Sequence, residues 1–95
     1  MAREIVWTAQ AQEDYRQVVT YLLDAFGDEV AEKYTDRLSN VLNSIVAMPQ
    51  MGRQHPQLSA IHQVIMKPYT VVCYLVLPDQ ITVVNLLDSR SEQGR

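Results

Sequence analysis

Two stretches of helical periodicity, flanked by runs rich in β-formers, lay out this chain. Arg3-Glu4-Ile5-Val6-Trp7 reads as a short first strand. Thr8 is a good N-cap for the helix that follows. Its apolar positions are Ala11, Tyr15, Val18, Val19, Leu22 and Phe26, a spacing that traces one helical face. Glu13 and Asp14 sit near the helix's positive end, where acids are favoured. Gly27 stops this helix, and Asp28 is placed to cap a second one. There Val30, Tyr34, Leu38, Val41, Leu42 and Ile45 form a second stripe, and Pro49 ends the helix because proline lacks the N–H it needs. So short a connection predicts an antiparallel helical hairpin.

Beyond it the pattern changes. Met48 to Ala60 contains Pro49, Gly52 and Pro56 and reads as a loop. Ile61 to Lys67, Tyr69 to Leu77 and Ile81 to Asp88 are rich in Val, Ile and Tyr, as strands are. Pro78-Asp79-Gln80 makes a tight connection between the last two. Val71 to Leu77 shows no polar alternation, which predicts a central strand covered by the helix pair. The predicted class is α+β in the order β-α-α-β-β-β: an antiparallel sheet with a two-helix hairpin packed on one face, the first strand joining its edge. The 95 residues make one domain, with a polar tail from Ser91.

Composition narrows the setting. Apolar residues make up 47%, so the chain can build a core. The run Val71–Leu77 is far short of the ~20 residues of a membrane span. Met1-Ala2-Arg3-Glu4 lacks the apolar core of a signal peptide, and Cys73 is a single cysteine; both favour the cytoplasm. Eight Lys and Arg face eleven Asp and Glu, a net charge of −3. Free-standing nucleic-acid binders gain affinity by neutralising phosphates and usually carry a basic excess, which this chain lacks. His55 and His62 are not at ligand spacing with Cys73, so neither a metal nor another cofactor is expected.

An ordered set of short pieces resembles the RelE/ParE family of bacterial type II toxin–antitoxin toxins. The set comprises Ile5-Val6-Trp7-Thr8 with Ala11, Asp14 and Tyr15; Tyr21-Leu22; Pro49 followed by Met51-Gly52-Arg53; Lys67-Pro68-Tyr69; Ile81 and Val83; and Asp88-Ser89-Arg90. The resemblance implies the fold just derived and a cognate antitoxin whose C-terminal segment wraps the toxin and whose N-terminal part binds promoter DNA. It implies one of two targets for free toxin. ParE-like members inhibit DNA gyrase with no bond-breaking chemistry of their own. RelE-like members enter the ribosomal A site and cut mRNA. A third alternative is a family member that poisons nothing and acts only as a binding partner.

RNA cleavage needs a base, an acid and positive charge on the phosphate. The residues here that could supply them are His62, Lys67 and Arg90, with no Tyr or His after Arg90. That thin inventory favours the ParE-like reading. Arg53, Lys67 and Arg90 are expected to gather at one end of the sheet as a target-contact patch. Trp7, Tyr15, Tyr34 and Tyr69 are core-edge aromatics of the kind an antitoxin covers. Asp24, Asp28, Glu29, Glu32 and Asp36 make the hairpin tip and the start of the second helix acidic.

Overall fold

Thr8 does two things with one hydroxyl. It accepts from the Ala11 N–H at 3.0 Å, capping the first helix, and donates to the Val84 carbonyl at 2.6 Å, tying that helix start to a strand more than seventy residues away. The computed structural model describes residues 3–67 and 70–88. It contains β1 (Glu4–Trp7), α1 (Ala9–Phe26), α2 (Asp28–Ala47), β2 (Arg53–Gln54), β3 (Ile61–Met66), β4 (Thr70–Val76) and β5 (Gln80–Asp88).

Gly27 alone joins the helices. Its φ of 95° lies in the region that glycine tolerates, and its N–H closes α1 onto the Leu22 and Leu23 carbonyls. Asp28 was the expected cap of α2, but the turn is so tight that Gly27 takes that place and makes no side-chain cap bond. Asp28 and Glu29 fall in the first turn, where they still meet the helix's positive end. The far end of α2 stops at Ala47, just before Pro49.

The sheet has five strands in the order β1-β5-β4-β3-β2. Two features depart from the sequence reading. β1 runs parallel to β5, Glu4 opposite Gln80 and Trp7 opposite Val83, so the sheet is mixed and not wholly antiparallel. A parallel neighbour needs a long crossover, and everything between Trp7 and Gln80 serves as one. The second is β2, two residues inside the expected loop, pairing Arg53 with Gln63 and Gln54 with His62. So short a strand has no periodicity to read.

Both helices lie on one face. Tyr34, Leu38, Leu42 and Ile45 of α2 and Ala11 of α1 close over Met66, Val72, Tyr74, Ile81, Val83 and Leu86. Burying each large side chain contributes ~1.5–3 kcal/mol. Side chains alternate along strands, so Val71 and Cys73 of β4 point to the opposite face. They too are buried, between flanking rows of side chains from β3 and β5, although no described element lies on that face. This double burial explains why β4 reads as unbroken apolar sequence. The helical stripes overshoot the core at the hairpin tip: Phe26 is 60% exposed and Val30 39%.

Candidate partner-binding groove and open sheet face

The overshoot creates a groove. The distal halves of α1 and α2 stand over the end of the sheet where β4 begins and β5 finishes. Between them lies a cleft of about 620 Å³ floored by Val18, Leu22, Val30, Tyr34 and Leu86. Tyr21 stands at its side, 51% exposed and edge-on to Phe26 at 6.1 Å. The rim is charged: Lys33 and Arg37, one helical turn apart on α2, with Asp14 and Asp88 on the other elements.

Asp14 has a structural part as well. β1 ends at Trp7, so β5 loses its outer neighbour beyond Val83. Asp14 takes over there, its Oδ2 accepting from the Leu86 N–H at 3.0 Å, while Oδ1 accepts from Gln10 at 2.7 Å. Thr8 takes the Val84 carbonyl on the same edge. The cap residue Thr8 and Asp14 of α1 thus continue β1 where its backbone stops.

Of the four aromatics expected to meet an antitoxin, three form a connected cluster. Trp7 packs edge-on to Tyr15 at 5.8 Å, and Tyr15 stacks on Tyr34 at 6.4 Å. Tyr34 faces the groove; its hydroxyl pairs with that of Thr70 at 3.2 Å, and burial raises its pKa above the ordinary value against the pull of that bond. Trp7 and Tyr15 line a second, shallower depression between the helices, with Val19, Leu38 and Leu42. Tyr69 lies outside the described residues. The exposed apolar residues at the groove, Tyr21 and Val30, were not among the expected contacts. Their signal was present: Tyr21 falls off the α1 stripe, and Val30 falls at the acidic tip.

The expected patch of cations is divided. Arg37 donates to the Lys67 carbonyl at 2.9 Å, which sets Lys67 beside α2 at the groove end of the sheet. Arg53 pairs with Gln63, four residues back along β3 from Lys67, or ~13 Å of strand. The reason is the unforeseen β2, which holds Arg53 midway along the edge. Arg90 lies outside the described residues.

Arg53 is exposed, and strand pairing puts it in one row with Gln63, Cys73 and Asn85 across the face that carries no helix. Gln63 donates to the Cys73 sulfur at 3.7 Å within that row. Ile65, 55% exposed, Val71 and Leu87 form the apolar row beside it.

His62, the weak candidate for a base, is not the half-exposed strand residue its position suggested. It is 8% exposed and stacked on the Tyr74 ring at 5.4 Å on the helix side of the sheet, with Nδ1 buried and unpartnered. His55 accepts at Nδ1 from the N–H groups of Gln57 and Leu58, closing its own loop. Among the described residues no cluster of three His, Cys, Asp or Glu could hold a metal ion, and no helix is long and apolar enough to cross a membrane.

The family model for the ParE toxin of the type II toxin–antitoxin system parDE matches residues 5–93, and the chain belongs to that family. A comparison with curated protein sequences returned no match. Among solved structures the chain is similar to the chromosomal ParDE system from P. aeruginosa, with TM-score 0.76 and 13% identity, covering 92% of this chain and 96% of that one. It is also similar to the YoeB dimer from Staphylococcus aureus, with TM-score 0.65 and 18% identity over 90% and 94% of the two chains. YafQ from E. coli strain BL21(DE3) gives TM-score 0.54 and 15% identity over 95% and 97%. At such identities the likeness is one of fold.

Proposed function

We propose that this toxin acts in the cytoplasm by binding a protein, with DNA gyrase as the target, and that a cognate antitoxin holds it inactive from the hairpin groove. The observation that carries the binding mode is the use made of both histidines. One is stacked in the core and the other caps a loop. His62 is shut inside the fold and His55 commits Nδ1 to its own loop, and histidine is the side chain best suited to move a proton near neutral pH. The target-contact residues are Arg53, Lys67 and Arg90. Arg suits such a role because its planar fork holds a carboxylate with two bonds.

The groove supports the antitoxin half of the reading. An apolar floor between two helices accepts one face of an amphipathic segment, and Lys33 and Arg37 favour carboxylates on its flank. One of the similar solved structures is the E. coli DinJ–YafQ toxin–antitoxin complex. Promoter DNA enters only through the antitoxin, in keeping with the chain's net charge of −3.

The test uses the purified chain in a gyrase supercoiling assay, beside primer extension on ribosome-bound message after induction. Loss of supercoiling that the antitoxin restores, with no new cuts, is the expected result. Codon-linked cuts in the A site would replace this reading with the ribosome-dependent endoribonuclease. Neither effect, with no growth inhibition, would leave a binding partner that poisons nothing.

A further inference from the structure

Tyr74 is fully buried at the centre of the sheet, yet its hydroxyl is not a core group in its effect. It donates to the Pro49 carbonyl at 2.9 Å and accepts from the Gly52 N–H at 3.0 Å. Those are the two ends of the short turn that leads from α2 into β2. A phenol has one proton and can both donate and accept, and both capacities are used here on one four-residue stretch. The next residue after Gly52 is Arg53.

Gly52 fits this bond and no larger residue does. A Cβ there would lie 2.7 Å from the Tyr74 hydroxyl and 2.8 Å from the Gln63 carbonyl, closer than real Cβ contacts come. The missing side chain lets the backbone reach the phenol. His62 closes the other side, its ring stacked on Tyr74 at 5.4 Å and 22°. The phenol therefore cannot swing away from the turn without disturbing the core.

β2 itself has little hold on the sheet. It is two residues long, lies at the edge and, among the described residues, pairs only with β3. Strands this short are marginal without outside support, and the Tyr74 clamp supplies it at the residue just before Arg53.

We infer that Tyr74 is a positioning residue for Arg53: its hydroxyl fixes the turn that aims the guanidinium across the open sheet face. The inference rests on the reading of Arg53 as a target contact. Pre-ordering of this kind removes the cost of immobilising a contact residue when the partner arrives.

Tyr74→Phe is the test, because it keeps the ring, the stack on His62 and the core volume and removes one oxygen. Amide hydrogen exchange of the free protein reads the positioning directly. Exchange at Gly52, Arg53 and Gln54 should rise at least tenfold, with little change in α1, α2 or β5. In a titrated-induction growth assay, the inducer needed for half-inhibition should rise several-fold for Tyr74→Phe, while antitoxin affinity changes by less than about threefold. In an Arg53→Ala background the same substitution should add nothing. Gly52→Ala, which pushes the turn off the phenol from the other side, should reproduce both effects and serves if Tyr74→Phe folds poorly.

Unchanged exchange over Gly52–Gln54 in the folded Tyr74→Phe variant overturns the inference whatever the growth assay shows. A loss that multiplies fully with Arg53→Ala also overturns it, since the hydroxyl would then act through general stability. If Arg53→Ala alone is as toxic as the parent, the target-contact reading is what fails; the exchange data still decide whether the clamp orders the turn.

Discussion

Asp14 shows how much one side chain can carry beyond its local role. The sequence pattern sets it near a positive helix end, but α1 begins at Ala9 and its first turn holds no acid, so that role is not the one it plays. In the fold its Oδ2 accepts the Leu86 N–H that β1 is too short to reach. Removing the acceptor leaves a part-buried donor unpaired, which costs ~1–3 kcal/mol. Asp14→Ala should lower the urea midpoint accordingly, and Asp14→Asn, which keeps an acceptor oxygen, should lose less. Tyr34 gives a test in pH. Burial raises its phenol above the ordinary 10.0, so the protonated form is favoured by folding. Its contribution is intact below about pH 10, the ordinary tyrosine value, and is lost as pH rises through the higher folded value. The urea midpoint should therefore fall above that pH, and less steeply in Tyr34→Phe. At this scale the sequence was partly legible. Thr8 announced itself as a cap because its role is local. The burial of His62 and the clamp made by Tyr74 depend on residues ten or more positions away, and no local pattern carries them.

The helical hairpin was legible as an element because each helix owes its form to a repeating apolar stripe. Where those stripes meet nothing was not legible. Phe26 and Val30 continue the periodicity but pass the end of the sheet, so the period that marks core elsewhere here leaves Phe26 exposed and puts Val30 in the lining of an open groove. The groove's chemistry yields a prediction for the pair Lys33 and Arg37. Lys33→Glu with Arg37→Glu should weaken antitoxin binding at least tenfold by calorimetry and make what remains less sensitive to salt. The melting temperature should move little, except for the single bond from Arg37 to the Lys67 carbonyl. A double variant that binds as the parent does would remove the groove from the antitoxin reading. β2 marks the lower limit of legibility: two residues, Arg53 and Gln54, are too few to show alternation, and their pairing is decided by the turn that Tyr74 holds.

For the molecule as a whole, element order was readable and strand direction at the edge was not. Helical and strand periods give the order β-α-α-β-β-β, but they say nothing about which edge β1 joins or which way it points. The structure places it parallel to β5, Ile5 beside Ile81 and Val6 beside Thr82. That pairing has a consequence during synthesis. β1 and the α1 residues that finish its edge leave the ribosome long before their partner strand exists. At ~5–20 residues per second, the 76-residue separation of Glu4 and Gln80 takes about 4–15 s to translate. Through that interval Trp7, the face of α1 and the Asp14 carboxylate have no sheet to meet. Nascent chains stalled before β5 clears the exit tunnel should be cut readily by protease in α1, and chains stalled after it should resist. If so, the groove floored by Leu86 does not exist until β5 has emerged, whatever the state of the helices that wall it.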